Sequence, residues 1–240
     1  MATTIPQSSL EKLTNVTMTR HISLAAPQQT LELDGFRIPV YHSDALVVGS
    51  GAAGLRAAVE LKRRKVDVLV ATQTLFWGTS ACSGSDKQTL HTASTSFKGD
   101  NFTALASAIG AGGAMDADTA YVESVGSVEA FIGLKSIGLP LPEDRYGAVL
   151  RYQTDHDEVG RATSCGPRTS RLMVKVLAEE AVLLKVPFVD HATAVRLLTE
   201  GEDAQRRVAG ILAIVKGARS EDNPWGLCLM RSPNVVLAAG

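Results

Sequence analysis

The chain has 240 residues, of which 45% are hydrophobic and 20% are charged, and its formal net charge at pH 7 is -1. This composition is typical of a globular protein with a hydrophobic core, and a net charge so near zero gives no electrostatic reason to expect nucleic acid as a partner. The three cysteines, Cys82, Cys165 and Cys228, show no C-x-x-C spacing, so the sequence predicts neither a disulfide framework nor a metal site.

The first 42 residues are predicted to be an extension ahead of the main domain. Residues 1–29 are polar and contain no apolar signal region. Two alternating stretches flank Asp34 and Gly35, and an Asp-Gly pair in that setting indicates a β-hairpin. We expect the hairpin to cover an edge of the main sheet. Since no apolar run is long enough to cross a bilayer, we also expect a cytoplasmic protein without a membrane span.

A glycine motif follows a buried strand and opens a helix. Residues 45–48 form a short apolar run, and an Ala- and Leu-rich helical pattern begins directly after the G-x-G-x-x-G motif. In this order the first glycine permits a tight turn, the second lets the backbone approach a pyrophosphate, and the third lets the helix lie close to the strand. The amino end of the helix offers N–H groups to the anion. The sequence therefore predicts a dinucleotide site at Gly49, Ser50, Gly51, Ala52, Ala53 and Gly54.

The second strand, residues 66–70, completes a β-α-β unit but lacks its usual acidic ending. In such a unit a carboxylate at this point normally binds the ribose hydroxyls. Here the segment reads Ala71-Thr72-Gln73. The hydroxyl of Thr72 is the predicted substitute, although it makes a weaker hydrogen bond than a charged acceptor would. This departure counts against NAD more than against dinucleotides in general.

Small and hydroxyl-bearing residues follow the second strand, at residues 77–85. Small side chains let the backbone approach a ligand, and hydroxyls can bond to its oxygens. Composition alone favours a surface loop, but the position directly after the second strand favours a part in the dinucleotide site. The candidate residues in this loop are Gly78, Thr79, Ser80, Ser83 and Gly84.

The middle of the chain is predicted to be less regular. Residues 86–102 have the composition of a polar loop, and residues 143–169 have that of an irregular segment. Between them Asp116 opens a helix whose predicted apolar stripe is Tyr121, Val125, Val128 and Ile132. Asp155 and His156 suggest acid/base chemistry, but a solvated loop explains these charges as well. No catalytic residue is therefore assigned.

The last third of the chain predicts one helix and a second group of strands. The helix at residues 171–185 precedes a β-meander at residues 191–198, 208–215 and 227–230. A continuous apolar run at residues 235–239 predicts a parallel strand buried on both faces. The predicted fold class is α/β, a Rossmann-like domain with a parallel sheet and a β-meander.

Residues 43–65, the loop 78–85 and the closing segment 234–240 resemble the succinate dehydrogenase/fumarate reductase flavoprotein family, which includes L-aspartate oxidase. The resemblance implies an FAD-binding domain over residues 43–240, in which the glycine motif holds the pyrophosphate and the backbone near Ala194 contacts the adenine. Membrane-bound members carry a histidine in the small-residue loop that links covalently to FAD. Because Gly78 stands at that position, the implied attachment is non-covalent.

The resemblance covers only the first half of the family's length. The capping domain, the second FAD-binding glycine segment and the helical domain of the family have no counterpart in these 240 residues. We therefore expect the FAD-binding portion of an oxidoreductase that retains FAD weakly by itself. Its predicted partner is a second polypeptide that carries the capping domain and the remaining FAD-binding segment.

Two alternatives to a flavoenzyme stay open at this point. The first is an NAD-dependent Rossmann dehydrogenase, against which the missing carboxylate and the β-meander both count. The second is a non-catalytic subunit that retains the fold and binds a partner through an open edge.

Overall fold

The computed structural model describes residues 21–82, 88–94, 99–154 and 157–240, without the side chain of Glu158. The strands are β1 (Gln29–Leu33), β2 (Phe36–His42), β3 (Ala45–Val48), β4 (Val68–Ala71), β5 (Leu90–His91), β6 (Tyr152–Thr154), β7 (Asp157–Thr163), β8 (Phe188–Val189), β9 (Ala192–Glu200), β10 (Arg207–Val215), β11 (Leu227–Arg231) and β12 (Val235–Leu237). The helices are α1 (Ala52–Arg63), α2 (Thr79–Cys82), α3 (Phe102–Gly110), α4 (Ala117–Ser136) and α5 (Thr169–Leu183).

The described residues fall into two compact units. The first contains residues 21–82 and 177–240, and the second contains the described parts of residues 88–176. The described part of the chain has no helix that is long and apolar enough to span a bilayer.

A four-stranded parallel sheet forms the centre of the first unit. Its strand order is β12-β3-β4-β8, and α1 connects β3 to β4. All residues of β3 and β4 are buried, as their continuous apolar runs predict. The Rossmann-like fold is therefore confirmed. Strand β12 is parallel as predicted. Its predicted burial on both faces is wrong, because Leu237 is 65% exposed; among the described residues β12 is the edge strand of this sheet.

Part of the predicted N-terminal extension joins this sheet. The N–H of Ala25 donates to the carbonyl oxygen of Phe188, and the N–H of Phe188 donates to the carbonyl oxygen of Ser23, each at 2.8 Å. Leu24 thus pairs in parallel with β8 and lengthens the sheet by one short segment. Residues 1–20 lie outside the described residues.

The second sheet of this unit is the predicted β-meander together with the hairpin. Its order is β1-β2-β11-β10-β9. The hairpin turns at Asp34 and Gly35, which both have positive φ as a type I′ turn requires. Strand β2 pairs in parallel with β11. The hairpin therefore covers an edge of the meander, and the prediction that it covers the main parallel sheet is wrong.

The second unit contains three strands where the sequence predicted loops. Strands β5, β7 and β6 form an antiparallel sheet. Inside β7, the guanidinium of Arg161 donates to Asp157 and to Asp100, each at 2.6 Å, and both Arg161 and Asp157 are only 5% exposed. Asp157 and Arg161, two charged residues of the segment predicted to be irregular, therefore form a buried ion pair inside a strand.

Helix α4 begins where it was predicted to begin but buries a different face. Asp116 caps it by accepting from the N–H of Thr119 at 2.9 Å, and this hydrogen bond lowers the pKa of Asp116. The left-handed Gly138 (φ 95°) follows its end. The predicted stripe is wrong, because Tyr121, Val125 and Ile132 are exposed. The helix instead buries mainly small residues, which allow close packing against neighbouring elements: Ala120, Ser124 and Leu134.

Candidate dinucleotide site

A cavity of about 440 Å³ lies at the carboxyl ends of the parallel strands. Its lining comes from the β3–α1 turn, the residues after β4, the start of β9 and the residues after β12. Strand β3 has β4 on one side and β12 on the other, so the order of strands along the chain reverses here. In open α/β sheets, ligands bind at such a reversal, outside the carboxyl ends of the strands.

Two of the motif glycines are required by the protein's own packing. A Cβ on Gly49 would collide with the carbonyl oxygen of Ala238, and Gly49 has φ 109°. A Cβ on Gly54 would collide with the carbonyl oxygen of Gly49. The tight turn and the close helix-to-strand approach predicted for these glycines are both present. Gly54 is not among the residues that line the cavity.

Gly51 has a different surrounding. The nearest atom to a Cβ added there is the Oγ of Ser80, at 3.4 Å, which is an ordinary contact distance. Packing within the described residues therefore does not require glycine at this position. Gly51 lines the cavity, so the space beside it is available to a ligand. This arrangement fits the close approach of a pyrophosphate to the backbone.

The amino end of α1 adds a partial positive charge that would attract the pyrophosphate. Gly51 is the N-cap residue, it provides no side-chain cap, and the first turn contains no acidic residue. The Oγ of Ser80 accepts from the N–H of Ala52 at 3.4 Å. The partial positive charge of the helix terminus is thus directed at the cavity without a carboxylate to neutralise it.

A buried hydroxyl network holds the turn against the segment that follows β4. The Oγ of Ser50 lies 2.9 Å from the Oγ1 of Thr72, and each lies 3.2 Å from the carbonyl oxygen of Thr74. The N–H of Phe76 donates to the same Ser50 oxygen at 3.0 Å. Either direction of the Ser50–Thr72 bond commits both hydroxyl hydrogens inside the network. Thr72 is 5% exposed and has its hydroxyl partners inside this network; its contact with a ribose hydroxyl stays a prediction.

The structure brings most of the predicted site residues to this one cavity. Besides residues 49–53 and Thr72, its lining includes Gly78, Thr79, Ser80 and Ala194. Ser83 and Gly84 lie outside the described residues, as do Asp155 and His156. No groups of His, Cys, Asp or Glu that could hold a metal occur among the residues the structure describes.

Sequence reasoning missed several lining residues. Gln73 and Thr74 follow β4, Thr193 lies in β9, and residues 238–240 follow β12. The side chain of Gln73 is exposed and carries both a donor and an acceptor. The sequence could have identified Gln73 as a candidate site residue, because Gln73 stands at the end of the second strand, where a ribose-binding side chain is expected.

The fold and the cavity define a dinucleotide-binding domain of the Rossmann-like class. A model of the family described as FAD binding domain matches residues 44–240. The chain belongs to this family, and its cofactor is FAD.

Among known proteins, the chain is 27% identical over 201 residues to the 8-methylmenaquinol:fumarate reductase flavoprotein subunit of Wolinella succinogenes. The alignment covers 82% of this chain and 31% of that protein. The resemblance to the N-terminal, FAD-binding part of the succinate dehydrogenase/fumarate reductase flavoproteins is therefore confirmed. The chain spans about a third of the length of this relative.

Two solved structures show the same fold. Mycobacterium smegmatis Sdh1, determined in complex with UQ1, superposes with a TM-score of 0.69 at 19% identity, over 83% of this chain and 34% of Sdh1. The second is the 3-ketosteroid-delta4-(5alpha)-dehydrogenase of Rhodococcus jostii RHA1, determined in complex with 4-androstene-3,17-dione. It superposes with a TM-score of 0.63 at 23% identity, over 90% of this chain and 48% of the dehydrogenase.

Proposed function

We propose that this chain is the FAD-anchoring portion of a flavin-dependent oxidoreductase related to fumarate reductases, and that it holds FAD non-covalently. The observation that carries the proposal is Gly51, the N-cap residue of α1, whose open side faces the cavity. The backbone of this turn would hold the pyrophosphate, Gln73 and Thr72 would contact the ribose, and the strand at Ala194 would contact the adenine. When bound, FAD supplies hydride transfer at flavin N5.

The proposed substrate class is a small carboxylate. Support comes from the fumarate reductase subunit, the nearest in sequence of the proteins compared above. The steroid dehydrogenase has a similar fold at 23% identity. Because a fold of this kind serves different substrates, the fold alone does not select one.

The proton chemistry is proposed to come from outside this cavity. Its described lining contains no histidine, carboxylate, lysine, arginine or cysteine side chain. The lining can bind and orient a cofactor through backbone groups, hydroxyls and an amide, but it offers no side chain that exchanges a proton near neutral pH. We propose that the acid/base and substrate-binding groups belong to further segments of the enzyme, in the same polypeptide or in a second one.

The test is equilibrium titration of the apoprotein with FAD, followed by flavin fluorescence, on the wild type and on Gly51→Val. A side chain at Gly51 occupies space reserved for the ligand, so we expect FAD affinity to fall at least about tenfold, which corresponds to about 1.4 kcal/mol. The melting temperature should change little. Acid precipitation should release the flavin into the supernatant, as non-covalent binding requires.

Gly112→Val is the matched control, because Gly112 also has open space around its Cα and lies in the second unit. It should leave FAD affinity unchanged. The proposal fails if the wild type takes up no FAD after reconstitution, or if Gly51→Val binds FAD as well as the control does.

A further inference from the structure

A second, smaller groove of about 310 Å³ adjoins the dinucleotide cavity in the first unit. We call it the basic groove, and its lining residues are Gln73, His191, Thr193, Ile214, Lys216 and Arg219. Gln73 and Thr193 line both spaces. The groove therefore meets the cavity at the end of β4, which is the ribose end of a bound dinucleotide by the general rule for this fold.

Contacts with the backbone hold Lys216 and Arg219, the lysine and arginine of the groove, in position. The N–H of Lys216 donates to the carbonyl oxygen of His191 at 3.1 Å, which ties the turn after β10 to the corner before β9. His191 itself has a left-handed backbone, with φ 53°. The stem of Arg219 packs over Gly226, where an added Cβ would lie 3.0 Å from the Arg219 Cγ.

Two lining residues of the groove, Lys216 and Arg219, carry a positive charge. Lys216 and Arg219 are exposed, and neither forms an ion pair with any residue in the described part of the chain. The imidazole of His191 lies 3.5 Å from the carboxylate of Asp190. The lining itself contains no carboxylate. Two cations at one end of a cavity that has a neutral lining form a specific place for an anion.

The residue at the end of β4 removes the usual obstacle to such an anion. A carboxylate there binds ribose hydroxyls and would repel a phosphate on the same ribose, whereas nearby arginine accommodates a ribose phosphate. Here the position carries the neutral amide of Gln73, with Lys216 and Arg219 beside it. We propose that the basic groove is a phosphate subsite at the ribose end of the dinucleotide cavity. Beside bound FAD, whose adenosine ribose carries no phosphate, the subsite takes a free phosphate ion. In the absence of FAD it takes the ribose phosphate of a smaller adenosine nucleotide.

This inference rests on the orientation of the adenosine assumed in the proposed function. Three probes test the esterified source by competition with FAD: AMP, adenosine 2′,5′-bisphosphate and adenosine 3′,5′-bisphosphate. At low salt at least one bisphosphate should bind about fivefold or more tighter than AMP, since two cations form charge-assisted hydrogen bonds with it. The preference should shrink at 0.5 M NaCl as the charges are screened. For the free source, inorganic phosphate is titrated into the FAD-loaded protein by calorimetry.

The variant that tests the groove is Lys216→Ala with Arg219→Ala. It should abolish both the preference for a bisphosphate and any binding of inorganic phosphate, while FAD affinity stays within about threefold because the pyrophosphate is held at α1. The matched control is Arg196→Ala with Arg206→Ala, which removes the same charge from exposed positions outside both cavities. It should keep the preference.

Two results would overturn the subsite. One is that neither bisphosphate binds tighter than AMP and inorganic phosphate does not bind either. The other is that the double variant of the groove behaves like the control. Binding of the adenosine probes can also be followed directly by the fluorescence of Trp77, which lines the cavity. A failure of FAD binding, which bears on the proposed function, is thereby separated from a failure of the phosphate subsite.

Discussion

Ser50 connects two segments that a sequence motif treats separately. It occupies a variable position of the glycine motif, yet its side chain is buried (2% exposed) and bonds to Thr72 and to the backbone at Thr74 and Phe76. The β3–α1 turn is therefore held in place by the segment after β4. Both segments line the cavity, so this one hydroxyl helps to shape the site.

Replacing Ser50 by Ala should destabilise the fold more than an ordinary surface change does. The substitution leaves the buried N–H of Phe76 without its acceptor, and an unsatisfied buried group of this kind costs about 1–3 kcal/mol. The free energy of unfolding from urea denaturation measures the effect. Ser136→Ala is the control, because its hydroxyl is exposed and bonds only to the carbonyl of Gly133. A loss for Ser50→Ala no larger than that of the control would contradict the network.

The three motif glycines show what the sequence can and cannot tell at this scale. The spacing alone predicted the turn, the approach of a ligand and the close helix. It could not show that Gly49 faces the carbonyl of Ala238, because that partner lies far along the chain. It did assign the approach of a ligand to the second glycine, and Gly51 is the motif glycine that has open space beside the cavity.

At the scale of elements, the predictions succeeded where the signal is local. The continuous apolar runs of β3 and β4, the Asp-Gly hairpin and the Asp116 cap depend on neighbouring residues, and all are present. The sheet of β5, β7 and β6 was missed because its central strand carries a buried ion pair whose acidic partner Asp100 is remote in sequence. The pattern of charges in a strand of this kind is indistinguishable from that of a loop.

Helix α4 offers a direct test of which face is packed. Leu134 is 5% exposed and Ile132 is 59% exposed, although the sequence pattern placed Ile132 in the buried stripe. Leu134→Ala should lower the free energy of unfolding by about 2–5 kcal/mol, since it leaves a cavity. Ile132→Ala should change it by less than about 0.5 kcal/mol, as is usual at exposed sites. The free energies are measured by urea denaturation, and a loss for Ile132→Ala as large as that for Leu134→Ala would contradict this buried face.

At the scale of the whole molecule, each compact unit contains one buried thiol. Cys228 belongs to the first unit and Cys165 to the second, whereas Cys82 is exposed. Burial raises the pKa of Cys165 and of Cys228 to about 11. The Sγ of Cys165 also donates to the carbonyl oxygen of Pro140 at 3.2 Å, a bond that requires the neutral thiol. The overall stability should therefore depend on pH in the alkaline range.

The direction of that dependence follows from the order of the pKa values. The unfolded thiol ionises near its ordinary value of 9.0, whereas folded Cys165 stays neutral until about pH 11. The contribution of this thiol to the free energy of unfolding is fully present below pH 9. It is lost as the pH rises toward 11, at up to about 1.4 kcal/mol for each pH unit.

Urea denaturation between pH 8 and pH 11 should therefore show a steeper loss for the wild type than for Cys165→Ala, because the variant lacks the titrating thiol. The loss for Cys82→Ala should parallel that of the wild type, since its thiol is exposed in the folded protein. Cys165 is preferred to Cys228 for this measurement, because a change at Cys228 would also affect Tyr41. The pKa of Tyr41 is raised first by burial and second by the charge of Cys228. Parallel curves for the wild type and Cys165→Ala would show that the thiol ionises in the folded protein as readily as in the unfolded chain.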